Sequence, residues 1–437
     1  MAQQLREIRD PIHVFIRLDP REQEVLDSRP LQRLRYIHQL ATTYLVYPGA
    51  THRRFEHSLG VMELASRIYD VITRKEIADK KIQAIIADAD ARGYWRRVLR
   101  MAALCHDTGH LPFSHAAEDE LLPKGWNHER ISVELIKSDD MQRIWRAERP
   151  TLEADDIAKL AVGRKDFSRM FPDVSFSDWE DLLAEIITGS AFGADRMDYL
   201  LRDSYHAGVA YGGFDHFRLI DTLCILPGTD ENEGRPTLGI EQDGLRSVEA
   251  LLLARYYMFS QLYLHRVRRI YDIHLKDFLK EWLPSGQYSI DLEQHLRMTD
   301  DEVLVAIRQA SNDVDGPGYS AARRILNREH FRRVYEPNAS DTQILPAKRA
   351  TEAVYNAMLS EFSKDNVRCD SYAKETEVDF QVLSHDGSVA PCLHYSELLN
   401  RVPQTVAYYV FVAPELLSSA ERWLRENRNR IIVQQTL

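Results

Sequence analysis

The feature that most constrains this chain is how its apolar helical periodicity ends. Val98 to Cys105 carries apolar residues at the spacing of a buried helix, runs straight into His106 and Asp107, and then breaks at Gly109 and Pro112. A core helix that ends in His-Asp sets two metal-competent side chains at the lip of a hydrophobic core. The same period recurs from Glu56 to Ile72, where Leu59, Met62, Leu64, Ala65, Ile68 and Ile72 fall on helical positions. It returns at Leu182 to Ile187, at Asp195 to Ser204, and over Leu245 to Trp282, which predicts one long helix or a kinked pair. Pro20 to Arg35 predicts two short helices joined at Pro30. Little strand signal precedes Arg333.

Two regions depart from this pattern. Leu226 to Gly244 is dense in Gly, Pro and acids and must turn, which predicts a hairpin with strands near Leu223 to Leu226 and Thr237 to Glu241. Beyond Pro337, β-branched and aromatic residues cluster at Arg368 to Lys374, Val378 to Ser384 and Val406 to Val412, with a helical stretch from Pro414 to Asn427. The expected fold is therefore mainly α, a helical core over residues 1–335 followed by a small α+β lobe over 336–437.

Composition narrows the function. With 56 Lys+Arg against 67 Asp+Glu the formal charge is −11, which disfavours a protein that coats nucleic acid through counterion release. Cys105, Cys224, Cys369 and Cys392 form no CxxC pair, so neither a zinc knuckle nor a disulfide framework is indicated, and a reducing compartment fits. The opening MAQQLREIRDPIHVF lacks a signal-peptide apolar run, and no apolar stretch has the length of a membrane span. A cytoplasmic protein with no membrane partner is expected.

His57 in RRFEHSLGV, the adjacent His106 and Asp107 in CHDTGHLPFSH, and Asp195 in GADRMDYLLRD each lie beside a buried-helix pattern. Two imidazoles and two carboxylates suit Mn, Fe, Zn or Ni better than a soft metal, with Mg entering only as a counter-ion. Taken singly, each of these residues reads as readily as a satisfied polar group at a helix end. Together with DPIHVFIRLDPREQEVLDSRPLQRLRYIHQL, YPGATHRRFEHSLGV, WNHERIS and ADRMDYLLRDSYHAG, they resemble the HD-domain phosphohydrolase superfamily, and within it the deoxynucleoside triphosphate triphosphohydrolases. The resemblance runs in order over roughly residues 8–335 and implies a mainly helical HD core.

By that resemblance His57, His106, Asp107 and Asp195 bind one divalent metal, which supplies a Lewis acid and lowers the pKa of a water. Arg54 matches a phosphate-binding arginine and Arg196 a phosphate-binding lysine; a guanidinium can grip two phosphate oxygens at once. His110, His115, His128 and Glu129 match the catalytic His/acid group. Either His110 or His128 acts as general acid or phosphate donor, with Glu118 or Glu129 fixing the imidazole tautomer, although His128 could instead cap a helix. Tyr199 becomes a phosphate or sugar contact, Asp203 the acceptor of the sugar 3′-hydroxyl, and Gln39 and Leu40 the residues that meet the 3′-hydroxyl and crowd the 2′ carbon.

In ARYYMFSQLYLHRVRRIYD, His265 aligns with an active-site histidine, but Gln261 stands where a phosphate-contacting arginine is expected and Arg269 where a ribose-excluding tyrosine is expected. Arg268, Tyr263 or Tyr271 are the candidates to substitute. Asp27, Gln32 and Arg35 match positions that read guanine in an activating nucleotide, and Arg328 and Arg332 match residues that hold its phosphates. The plainer alternative is an Asp27–Arg35 ion pair and a solvated basic helix from Arg323 to Arg333. The resemblance further implies a symmetric homo-oligomer, dimer or tetramer. The activity expected is hydrolysis of a dNTP to deoxynucleoside and tripolyphosphate. A phosphodiesterase or exonuclease on single-stranded nucleic acid or another nucleotide ester, and a nucleotide-binding sensor, are the alternatives.

Overall fold

In a computed structural model that describes residues 5–75, 80–85, 89–114, 118–228, 234–374 and 379–434, the helix Arg54–Ile72 is buried on nearly every side. Glu56, Glu63, Arg67 and Asp70 make one narrow, half-buried polar stripe, and neighbours cover the remaining, mostly apolar circumference. Helices Ala89–Cys105, Asp178–Thr188 and Ala194–Ala207 pack against it. The Glu56 carboxylate accepts from the Arg53 amide (2.9 Å) and satisfies one donor at the helix start.

The chain forms two compact units, each built from three segments. The first comprises Met1–Met258, Tyr288–Asp301 and Glu377–Val402, and the second Phe259–Gln287, Glu302–Thr376 and Pro403–Leu437. Much of the sequence expected to form the C-terminal lobe lies in the second unit, while Glu377–Val402 belongs to the first. The mainly helical architecture with a small α+β portion is as expected.

Besides its helices the first unit holds a four-stranded sheet. Leu223–Leu226 pairs antiparallel with Thr237–Glu241, which pairs parallel with Gln381–Leu383, and that strand pairs antiparallel with Val389–Pro391. The predicted hairpin therefore forms with the expected strands. An N-terminal hairpin, Arg6–Asp10 with Val14–Leu18, was not expected. Charged residues interrupt both of its strands and mask the alternation.

In the second unit the strands Arg332–Tyr335, Thr405–Val412 and Val367–Lys374 form an antiparallel sheet with Thr405–Val412 central. Its residues alternate between two cores: Val410 and Val412 meet Val354, Met358 and Leu424, whereas Ala407, Tyr409 and Phe411 meet Ile270 and Phe331.

Two local expectations need correction, and a third resolves into one of its two alternatives. Helices Pro20–Leu26 and Arg29–Arg33 part at Asp27 and Ser28, and Pro30 sits in the first turn of the second, where its missing N–H costs nothing. Leu245–Trp282 is a broken pair, Leu245–Tyr257 and Arg266–Trp282, with a π-helical turn at Met258–Tyr263. Arg323 to Arg333 is not one helix, since the helix Tyr319–Leu326 ends and the strand Arg332–Tyr335 follows. Val378, expected to open a strand, lies outside the described residues.

Candidate active site

All four expected metal-binding side chains lie in the first unit, and the fold brings them together. His57 projects from the first turn of Arg54–Ile72, His106 and Asp107 follow the end of Ala89–Cys105, and Asp195 occupies the first turn of Ala194–Ala207. His57 Nε2 lies 3.0 Å from Asp195 Oδ1 and 3.7 Å from Asp107 Oδ2. His106 Nε2 lies 3.3 Å from Asp107 Oδ1 and 3.7 Å from Asp195 Oδ1. Ligand atoms of His57, His106 and Asp107 fall within 4.8 Å of one another.

The donor set fits a divalent cation. His106 Nδ1 is 2.8 Å from the carbonyl of Ala103 and must donate to it, which leaves the lone pair on Nε2. That Nε2 is buried and makes no hydrogen bond among the described residues. His57 Nδ1 is 2.9 Å from Asp198 Oδ2, the carboxylate–histidine arrangement that turns the opposite nitrogen toward a metal. Burial opposes charge on His57, but the hydrogen bonds to Asp195 and Asp198 and the charges of Asp198 and Asp107 outweigh it and raise its pKa to about 10. The imidazole thus sits in a field built for positive charge. Asp195, with 40% of its side chain exposed, keeps the cluster reachable.

Gly109 fixes the loop after His106 and Asp107. A Cβ there would lie 2.2 Å from the carbonyl of His128 and 2.4 Å from the amide of Ser132, so only glycine lets the loop touch the helix His128–Ile136. Ser132 closes the contact from the other side, donating to the His106 carbonyl (2.8 Å) and accepting from the Gly109 amide (2.9 Å).

Arg54 is buried beside the cluster. Its Nε donates to Ser114 Oγ at 2.8 Å, and one terminal nitrogen donates to Asp107 Oδ2. The guanidinium, with His106 and His110, holds the Asp107 carboxyl well below its ordinary pKa against the pull of burial. Arg196 makes no ion pair among the described residues, and its Nη1 is buried without a hydrogen bond. It is a cation with capacity for an anion.

Next to Asp107, the His110 and His128 rings stack with centroids 4.0 Å apart and planes 16° apart. His110 Nε2 is 3.2 Å from Asp107 Oδ1. His128 Nδ1 is 2.7 Å from Glu118 Oε1 and 3.4 Å from Glu129 Oε2. Burial and the nearby Arg54 and His128 charges push the His110 pKa well down. The His128 pKa is raised, because Glu118 outweighs burial. The helix cap is Asn127, whose side chain accepts from the Arg130 amide at 3.0 Å, so His128 is not the cap. His115 lies outside the described residues.

The remaining expected contacts divide. Gln39 Oε1 is buried with no hydrogen bond, Leu40 is buried, and Tyr199 is half-buried one turn beyond Asp195. Asp203 is almost fully buried and takes a 2.7 Å hydrogen bond with His52 Nε2. In the second unit, His265 Nδ1 accepts from the Val267 amide (3.3 Å) as a helix cap, and Arg269 forms a two-pronged pair with Asp370 at 2.7 and 2.6 Å. Arg35 and Asp27 form no ion pair among the described residues; both are exposed, Arg35 donates to Gln32 Oε1 at 2.9 Å, and its guanidinium lies 3.5 Å from the centroid of Phe55. Arg328 and Arg332 are exposed, and Arg332 Nη1 lies 2.8 Å from His330 Nε2.

Residues 54–203 match the HD domain family and residues 214–403 the HD associated region. A solved structure of a hypothetical protein from Aquifex aeolicus superimposes with a TM-score of 0.70 at 31% identity, covering 96% of this chain and 100% of that one. The chain belongs to the HD-domain phosphohydrolase superfamily. A phosphohydrolase from Bacteroides thetaiotaomicron superimposes on this HD protein with a TM-score of 0.69 at 25% identity over 94% of the chain and 100% of its own. The human deoxynucleoside triphosphate triphosphohydrolase SAMHD1 is 29% identical over 361 residues, 76% of this chain and 54% of its own length. An uncharacterised protein of Methanocaldococcus jannaschii is 35% identical over 308 residues, 70% of this chain and 56% of that one. The chain thus spans little more than half the length of these two relatives.

Sequence reasoning did not pick out Asp198, Arg202, His13 or Asp300. The Asp198–Arg202 spacing of four is a helix ion-pair signal that was open to view. Asp300 gave none: it is fully buried, accepts from the amides of His38 (2.8 Å) and Phe113 (2.7 Å), and so ties the Gln39 loop to the His110 loop.

Proposed function

We propose that the chain is a metal-dependent triphosphohydrolase that converts a dNTP to its deoxynucleoside and tripolyphosphate. The observation that carries this reading is the convergence of His57, His106, Asp107 and Asp195, with the buried cation Arg54 paired to Asp107, and Arg196, the chain neighbour of Asp195, keeping an Nη1 without a hydrogen bond. The four side chains hold one divalent ion of the Mn, Fe, Zn or Ni kind. When bound, that ion supplies a Lewis acid and an activated water.

The chain's own residues do the rest. Arg196 takes phosphate oxygens with its unpaired donors, and Arg54 contributes the terminal nitrogen that neither Ser114 nor Asp107 uses. Both oppose the charge that grows on a tripolyphosphate leaving group. His128, whose proton affinity Glu118 raises, delivers a proton to the leaving oxygen, and His110, whose pKa is pushed down, stacks between His128 and Asp107. Gln39, Leu40 and Tyr199 face the sugar and phosphates. Because Asp203 is buried against His52, Gln39 rather than Asp203 is the freer acceptor for a 3′-hydroxyl.

The relation to the human triphosphohydrolase supports the substrate class. The reading extends to an activating nucleotide, with the exposed Asp27 and Arg35 and the half-buried Gln32 as its proposed guanine contacts. Turnover of dNTPs by the purified protein, with analysis of the inorganic product, tests the whole. Cleavage of oligonucleotides without dNTP turnover would instead mark a nuclease, whose affinity falls steeply with salt.

A further inference from the structure

We infer that the turn of the N-terminal hairpin is a working part of the metal centre: Asp10 and His13, through Arg202 and Asp198, hold the His57 imidazole so that Nε2 faces the ion. This rests on the metal-site reading above and adds positioning residues to it.

Asp198 is fully buried, three residues beyond Asp195 on the same helix. Its Oδ2 is 2.9 Å from His57 Nδ1 and accepts from Arg202 Nε at 2.8 Å. Its Oδ1 is 2.9 Å from His13 Nε2 and accepts from Arg202 Nη2 at 2.9 Å. A carboxylate has about four acceptor positions, and all are taken. Arg202, also fully buried, sends Nη1 to Asp10 Oδ2 at 2.8 Å. The other Asp10 oxygen accepts from the amides of Ile12 (2.9 Å) and His13 (2.8 Å), so one side chain sets both the hairpin turn and the guanidinium.

Two arguments give this network a purpose beyond stability. A buried ion cluster is seldom more stable than apolar residues of the same volume, so its presence calls for another reason. Here the cluster ends on a nitrogen of a candidate ligand, where it selects a tautomer and fixes a ring. The second argument is Gly60, inside the helix that carries His57. A Cβ there would lie 1.9 Å from Asp198 Oδ1 and 2.4 Å from Arg202 Nη2. Glycine is among the poorest residues for a helix interior, and here it leaves the space that the ion pair fills.

The test is the dissociation constant for Mn²⁺ or Zn²⁺ alone, measured on the full chain by chelator competition. Asp198→Asn should bind roughly 10- to 100-fold more weakly, the scale for losing an outer partner of a ligating histidine. Asp10→Asn and His13→Gln should weaken binding in the same direction and by less. His57→Gln separates the two levels of the account. If it binds metal as tightly as wild type, the metal-site reading itself fails. If it loses metal while Asp10→Asn, His13→Gln and Asp198→Asn keep wild-type affinity, that reading stands and the hairpin's role is refuted. Should Asp198→Asn not fold, Asp10→Asn and His13→Gln decide alone, together with the ¹⁵N shift of His57 in Zn-loaded wild type. A protonated Nδ1 supports the inference, and a deprotonated one overturns it.

Discussion

The imidazoles of His110 and His128 stack 4.0 Å apart, yet their surroundings drive their charges in opposite directions. Burial and neighbouring cations push the His110 pKa down, while Glu118, against burial, pushes that of His128 up. Such a divided pair is how one site separates acid from base. If His128 is the acid, His128→Gln should lower kcat by about 10² to 10⁴. A raised pKa means the acid form persists above its ordinary range, so kcat should fall as pH rises through that raised value. Glu118→Gln removes the group that raises it, and the fall should move to lower pH. An unshifted alkaline limb in Glu118→Gln would refute the assignment.

Arg54 and Arg196 should affect the chemical step more than binding. On the proposed mechanism their charge meets the leaving tripolyphosphate most strongly in the transition state, so each alanine variant should lose roughly 10² or more in kcat rather than only gain in KM. Steady-state constants for one dNTP decide this. Unchanged kcat in Arg196→Ala would remove it from the mechanism.

Asp107 carries the metal prediction. Because its carboxylate also pairs with buried Arg54, Asp107→Ala should lose both metal and stability, whereas Asp107→Asn keeps a hydrogen-bond partner and should lose chiefly metal and turnover. Metal content by elemental analysis, beside a thermal melt, separates the two effects. Stoichiometric metal and full activity in Asp107→Asn would contradict the ligand set.

Much of the architecture and of the candidate site can be read along the chain, for reasons visible in particular residues. His57, His106, Asp107 and Asp195 each follow or open a buried helix, so apolar periodicity points to them before any coordinates do. The strands Leu223–Leu226 and Thr237–Glu241 follow from turn chemistry. The N-terminal hairpin is illegible because Arg6, Glu7, Arg9 and Arg17 break its alternation, and its worth lies in Asp10 and His13, whose partners are about 190 residues away. The Asp27–Arg35 pair was plausible by spacing, but Arg35 stacks on Phe55 instead. No local pattern reveals that choice.

Arg35 also tests the proposed regulation. Arg35→Ala and Arg332→Ala should reduce any stimulation of dNTP turnover by GTP or dGTP while leaving bound metal unchanged. Turnover of one dNTP with and without each nucleotide measures this. Wild-type turnover that ignores every added nucleotide would leave Arg35 a purely structural cation.

The central claim is cleavage at the α-phosphorus of a dNTP by a metal-loaded HD site. The measurement that tests it most directly is incubation of the purified protein with each dNTP and NTP in Mn²⁺, Mg²⁺, Fe²⁺ or Zn²⁺, followed by separation of the inorganic products. The account predicts tripolyphosphate and free deoxynucleoside in equal amounts, lost in Asp107→Asn. Pyrophosphate with a nucleoside monophosphate, or no dNTP turnover with any of these metals, would contradict it.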